Sequence, residues 1–488
     1  MWSRRALPER YELVAVCFLA AATCYLDRVG FPLAYTVMAQ ARQTWLKRRT
    51  GGVGSRVCAL LQVSPLTLSV PLRRLASPRR PRDECTAPST TATRCPRRAT
   101  ALPQPARCSP SALTHCPSPQ IPGGWAAATH GGERVLSLSF LLWCTVSLAT
   151  PSDGSRTLAL MLARSLVGAA MGVVFPSIHS ILVQWIPMHE RSRAVSLFTS
   201  GMYFGSAFAM ATLPRVIAAA GPSAVPTLVA ATGYAWLALW SRYARRKPPG
   251  TVAAAALGDV GMASLLPGPP ASTSKRKDVP WAALARCVPL WALVFNNFTF
   301  HYAFFILLAW LPTLYDSLGA HPTAAGGLKM MPYLVMGVCS NIGGVAADLL
   351  IQRRLGVTHT RKAINTLGFS LASVALLLLP GCTTLGAAVT VACFTMGALA
   401  LARGGYSVNH MDIAPQLAGV LMGVSNGAGS MAGMVGPWVT GRILDGIGPG
   451  GSGAETAAAW RLACGVPAGL CTLGAAVFVL FGTGERLF

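Results

Sequence analysis

Charged side chains set inside long apolar runs are the residues of this chain best able to do chemistry. Asp27 and Arg28 lie in a run that is mostly apolar from Leu13 to Ala39, and Arg164 lies within ALMLARSLVGAAMGVVFPSIHSILVQW. A charge in such a segment is costly unless it meets a partner or a wet cavity, so it marks a functional position by default. Neighbours in sequence do not share a helix face, so Asp27 and Arg28 cannot neutralise each other. Arg28 therefore needs a carboxylate on another helix or an anionic ligand; the competing role is a structural pin that holds helices in register. The guanidinium fork of Arg164 suits carboxylate and phosphate, which makes Arg28 and Arg164 the candidate anion ligands.

A second polar cluster, Asn296, Asn297, Thr299, His301 and Tyr302, interrupts FNNFTFHYAFFILLAWLPTLY. His301 could relay protons, since imidazole ordinarily titrates near neutral pH, although a lone intramembrane His more often serves as a satisfied hydrogen-bonding group. With Asp27, Asn296, Asn297 and Tyr302 it forms a candidate coupling pathway. A third set, Asp348, Arg353, Asn409, His410 and Asp412, falls at the ends of apolar runs and in the turns between them and reads as gating turns. Asn409 and Asp412 fit a turn and helix cap. No nucleophile elbow, Walker sequence or metal-spaced His/Cys set is present, so neither an enzyme nor a metal or cofactor site is expected.

The elements that must position these residues are apolar helices. Hydrophobic residues make up 52% of the 488, charged residues only 12%, and the mean hydropathy is +0.48. A soluble chain would carry roughly 25% charged residues. Runs of the length a bilayer core demands lie at about 12–40, 134–150, 157–185, 193–213, 222–241, 288–314, 324–351, 363–380, 384–405, 413–443 and 457–481. Small residues at helical spacing, Gly423/Gly427 and Gly429/Gly433, let two backbones approach closely. The fold class is an all-α polytopic membrane protein, and the lipid bilayer is its first partner.

Residues 42–120 break the pattern. They hold 14 of the 41 Lys+Arg, against Asp83 and Glu84 alone, with eleven prolines, five cysteines and a single aromatic, Trp45. One aromatic cannot supply the base stacking that a nucleic-acid groove needs, so nucleic acid is not expected as a partner. The stretch reads as a disordered insert or a gene-model artefact. A second basic stretch, 242–287, carries Arg242, Arg245, Arg246, Lys247, Lys275, Arg276 and Lys277 with two proline clusters. It reads as a flexible linker on the cytoplasmic-type face.

Two glycine-lined helix ends echo each other. Pro122-Gly123-Gly124-Trp125 precedes Gly131-Gly132-Glu133-Arg134, and Gly343-Gly344 precedes Asp348 and Arg353-Arg354. With the Asp-Arg pair at 27–28, the Arg164 segment and the run GGYSVNHMDIAPQLAGVLMGVSNGAGSMAGMVGP, they resemble the family of sialin, the vesicular glutamate transporters and the plant and algal plastid anion transporters. These belong to the major facilitator superfamily. The resemblance covers about 10–41 and 121–445 and implies twelve spans in two six-helix halves. Eleven are clear, and the insert stands where the second is expected. The implied segments are 1–41, the insert 42–120, 121–241 for the rest of the first half, the linker 242–287, and 288–488 for the second half.

The resemblance also implies a monomeric secondary transporter of a small anion, such as phosphate or an organic anion, coupled to H+ or Na+ or driven by membrane potential. Many relatives carry a Glu seven residues after the fourth-span Arg, where this chain has Met171. Met cannot titrate, and together with the missing helix this keeps open a transport-inactive sensor or scaffold, or the product of a faulty transcript. No long Ser/Arg-rich leader precedes the first span, so a plastid or other internal membrane rests on the resemblance alone.

Overall fold

The computed structural model describes residues 6–49, 119–151, 157–244, 279–319, 325–446 and 453–488. Its long helices are α1 (Ala6–Arg49), α2 (Gln120–His130), α3 (Gly132–Leu148), α4 (Thr157–Trp185), α5 (Arg191–Ala220) and α6 (Ala224–Trp240). After a short helix at Trp281–Arg286 follow α7 (Val288–Ser317), α8 (Ala325–Gln352), α9 (Val357–Leu378), α10 (Leu385–Tyr406), α11 (Ala418–Asp445) and α12 (Gly453–Phe481). No strand occurs among the described residues. Each of the eleven apolar runs becomes a helix, which follows from the need to satisfy every backbone N–H and C=O inside a bilayer.

Eight of these helices are long and apolar enough to cross a membrane: α1, α4, α5, α7, α8, α9, α10 and α12. The other runs fall short for physical reasons. The α3 and α6 helices have 17 residues each, while α11 has 28 but is diluted by glycine and serine. Glycine costs α11 hydropathy and gives it close contact on two sides. A Cβ at Gly433 would sit 2.7 Å from the Phe305 ring of α7, and one at Gly423 would strike the backbone carbonyl of Gln120 in α2.

The two halves repeat one packing plan. In the first half α1 packs on α5, α3 on α6 and α2 on α4; in the second, α7 packs on α11, α9 on α12 and α8 on α10. Between the halves α5 packs on α8, and α2 on α11. The paired glycine motifs sit at these two crossings. A Cβ at Gly344 of α8 would lie 2.6 Å from the carbonyl of Ser192, the second residue of α5. Its counterpart at Gly124 of α2 would run into the carbonyl of Gly419, the second residue of α11.

The first turns of α1 and the segment after α12 meet the same face. Arg10 pairs with Glu190 at 3.5 Å beside the α4–α5 turn. Leu487 N–H donates to Ile413 O at 2.7 Å, and Gly484 N–H to Thr358 Oγ1 at 2.9 Å, at the α10–α11 and α8–α9 turns. An even number of crossings gives that arrangement. The linker also leaves and rejoins near this face, after α6 and before α7, although 245–278 lie outside the described residues, as do 50–118 of the insert. At the insert's edges the α1 backbone stays helical to Arg49 and α2 starts at Gln120. The last three turns of a second helix, carrying Pro122-Gly123-Gly124-Trp125, are therefore in place.

Candidate functional site

Two groups of polar residues are buried where the halves meet, one at mid-depth and one at the linker face. The mid-depth group surrounds a cavity lined by Tyr25 and Arg28 of α1, Phe175 of α4, Met202 of α5, His301 and Phe305 of α7, Arg403 of α10, and Asn426 and Ser430 of α11. Both halves contribute a guanidinium.

Arg28 Nη1 donates to its own helix's Tyr25 OH at 3.2 Å, and its carbon lies 5.0 Å from that ring's centre. Arg403 Nη1 donates to Tyr203 OH at 3.3 Å, and its guanidinium sits 4.8 Å from the centre of the Phe300 ring. The Nε of each is buried without a partner, and neither meets a carboxylate among the described residues. Arg28 faces the cavity from α1. Arg403, which sequence reasoning passes over, faces it from α10.

Arg164 is placed elsewhere. Its Nη1 and Nη2 donate to Asp27 Oδ1 and Oδ2 at 3.2 and 2.9 Å, and both side chains are 3% exposed. The guanidinium also stacks 3.8 Å above the Phe31 ring. This bidentate pair pins α4 to α1, and Arg164 does not line the cavity. Removing one partner of such a buried pair typically costs about 3–5 kcal/mol.

The α7 cluster divides in the same way. His301 lines the cavity, its Nδ1 2.8 Å from Asn297 O and its ring between Phe300 and Phe305. Gly429 makes room for it, since a Cβ there would lie 2.6 Å from Nδ1. Asn296 instead braces α9, accepting from Asn365 Nδ2 at 3.0 Å, and Tyr302 packs with Ile306 and Ala432 away from the cavity. Asn297 reaches the cavity only through its carbonyl's grip on His301. Gln120, the first residue of α2, donates from Nε2 to Ser430 Oγ at 2.6 Å and so ties the first half to the cavity wall.

At the linker face the turns form a latch. Asp348 of α8 accepts from the N–H groups of Ser192 and Arg193 at 3.1 and 2.9 Å and from Arg193 Nε at 3.2 Å, capping the start of α5. A carboxylate there is favoured by the helix dipole as well as by these bonds. Asp412, in the α10–α11 turn, accepts from Arg361 Nε at 2.8 Å and pairs with Arg191 at 3.5 Å. Arg361 Nη1 reaches Ser192 Oγ at 2.6 Å. Asn409 ties the turn to the C-terminal segment through Thr483 O at 2.7 Å, and His410 is buried with Nδ1 2.8 Å from Ser407 O. Arg353 is exposed and takes no part in the latch; Arg361 does instead. The first half's motif has Ala128 where the second has Asp348, so the α11 start lacks the carboxylate cap that α5 has.

A bundle of paired six-helix halves, with a charged cavity at their seam and a latch at one face, defines a multi-pass membrane transporter. The family model "Major Facilitator Superfamily" matches residues 120–437. "Probable anion transporter 5" of Arabidopsis thaliana is 40% identical over 99% of both chains, and "Probable anion transporter 6" of Oryza sativa subsp. japonica is 39% identical over 99% of both. "Sodium-dependent phosphate transport protein 1, chloroplastic" of Arabidopsis thaliana is 33% identical over 75% of this chain and 69% of its own. Among solved structures, the proton:xylose symporter XylE bound to 6-bromo-6-deoxy-D-glucose superposes with a TM-score of 0.65 over 98% of both chains, at 14% identity. That likeness shows the fold alone. The chain belongs to the major facilitator superfamily, whose members are transporters and not enzymes.

Proposed function

We propose that this chain is a secondary transporter that carries a small anion across a membrane by alternating access of one seam cavity. The observation that carries the reading is the pair Arg28 and Arg403. Two guanidiniums, one from each half, face one cavity and meet no carboxylate among the described residues. Arg403 is buried and Arg28 half-buried, and cations left in that condition are costly, so an anion relieves both at once. Because it would touch both halves, the anion could couple its own binding to their rocking.

In this reading Arg164 and Asp27 are positioning residues that hold α1 so that Arg28 faces the cavity. The residues 348, 361 and 412, with 191–193, form the gate on the linker face, and entry in the latched state is from the opposite face. Phosphate or an organic anion fits the charge. Coupling to H+ or Na+, or drive by membrane potential, is compatible with a cavity whose fixed charges are positive. A plastid or other internal membrane is proposed from the chloroplast-named relative. In this reading 242–287 is the linker that joins the two halves, and 42–120 is an insert within the first half.

The test is uptake of labelled phosphate and of organic anions into liposomes reconstituted with the full chain. Uptake that depends on Arg28 and Arg403 supports the reading. Equal uptake by Arg28→Ala and Arg403→Ala overturns the assigned site, and no anion flux by the intact chain favours a transport-inactive role.

A further inference from the structure

We infer that His301 makes the cavity selective for anions that still carry an O–H donor, such as hydrogen phosphate or a 2-hydroxy acid, over isosteric anions that carry none. The inference rests on the transport reading and adds the chemical class of its substrate.

The backbone carbonyl oxygen of Asn297 can only accept, so its 2.8 Å contact with His301 Nδ1 requires the proton to sit on Nδ1. The ionisable groups around the ring are Tyr25 and Arg28 from α1, Tyr203 from α5 and Arg403 from α10. No carboxylate faces it among the described residues, because Asp27 is taken by Arg164. A second ring proton would put a third cation into a cavity already holding two, so the ring carries one proton and Nε2 presents a lone pair.

That lone pair has no partner among the described residues. Nε2 makes no hydrogen bond there and keeps some open surface, whereas Nε2 of His179 and of His410 is sealed. His301 lines the cavity, so Nε2 opens into it. The wall therefore offers donors from Arg28 and Arg403, the Asn426 amide, which can present either a donor or an acceptor, and His301 Nε2, which can only accept while the ring carries one proton. Ser430 Oγ already accepts from Gln120 Nε2, which leaves its own hydrogen free as a further donor.

An anion with all its oxygens deprotonated satisfies the donors but turns a lone pair toward Nε2. An anion with one O–H satisfies both. A site built to bond a substrate hydroxyl rejects the analogue lacking it far more strongly than an apolar pocket rejects a misfit. Charge alone would favour sulfate, a full dianion, over phosphate near neutral pH. A preference for phosphate would thus report the acceptor and not the arginines.

The experiment is competition at pH 7 against labelled phosphate uptake in liposomes holding the full chain, with sulfate as the O–H-free oxyanion and lactate against propionate as the organic pair. The expected result is that phosphate outcompetes sulfate, and lactate outcompetes propionate, by about tenfold or more, one net hydrogen bond's worth. His301→Phe keeps the ring stacking but removes the acceptor, and should bring both ratios to within about twofold. His301→Gln returns an acceptor oxygen and should restore part of the preference. These ratios do not depend on how much protein folds. Sulfate competing as well as phosphate, or a preference that survives in His301→Phe, overturns the inference and leaves the anion transporter standing. Absence of any flux or competition brings down the transport reading and this inference with it.

Discussion

Arg164 grips Asp27 through two parallel hydrogen bonds of 3.2 and 2.9 Å, and Arg28, the next residue along α1, consequently has no carboxylate partner among the described residues. One helix turn thus carries both a clamp residue and a cavity-lining residue. The acid closes an α1–α4 clamp while the adjacent base turns to the seam. Asp27→Asn would leave Arg164 buried and unneutralised, at a cost of about 3–5 kcal/mol. Thermal unfolding in detergent should show a marked loss for that variant. The double change Asp27→Leu with Arg164→Met should recover most of it, since a buried pair can be replaced by apolar packing at little cost.

Arg403 supplies the second half's charge, so it separates the cavity from the clamp. Arg403→Gln should leave folded yield near that of the parent and weaken anion binding by roughly 10–100-fold, the worth of one hydrogen bond to a charged group. Isothermal titration with phosphate on the purified chain checks it. Unchanged affinity would remove Arg403 from the site.

What could be read from the sequence follows from which signals are local. Apolar runs, glycine pairs and intramembrane charges are local, and they mark the helices, the glycine-lined helix ends and Arg28 as a charge in need of a partner. The Asp27–Arg164 bond is not local, because 137 residues separate its partners and no periodicity links them. Arg403 is not marked out by the sequence because it stands three residues from the end of its helix, where a cation reads as a helix-end residue. Yet the turn after α10 is itself buried, with Ser407, Asn409, His410 and Asp412 all at 1% exposure or less, so the helix ends well inside the protein. Depth, and not distance from a helix end, decides a charge's environment. Arg353 fails for the opposite reason: it belongs to a gating turn by position but points outward.

The latch can be weakened without touching the cavity. Asp348→Asn removes the formal charge that caps α5 and pairs with Arg193 while keeping an acceptor oxygen. The loss should be about 1–2 kcal/mol, which shifts the ratio of open to latched protein roughly 5–30-fold. Labels at His189 and Arg353, exposed residues on opposite halves of this face, should report a longer mean distance in the variant by pulsed spin-resonance measurement. Excess phosphate should shift parent and variant in the same direction, because the cavity is intact in both.

Gly344 offers a steric test of the same seam that involves no charge. Its missing Cβ leaves the α5 start free to approach, and an added one would lie 2.6 Å from the Ser192 carbonyl and as close to the Ser196 Cβ. Backbone cannot yield there as a flexible side chain would, so Gly344→Val should cost the latched state about 1–3 kcal/mol or more. The state with the halves parted at this face has no such contact to lose, and the population should move toward it. Gly386→Ala, where nothing lies within 4 Å of the new Cβ, is the matched control on α10. The distance between labels at His189 and Arg353 should lengthen for Gly344→Val and stay at the parent value for Gly386→Ala. A latched distance in Gly344→Val would mean that α5 and α8 do not depend on this glycine to close.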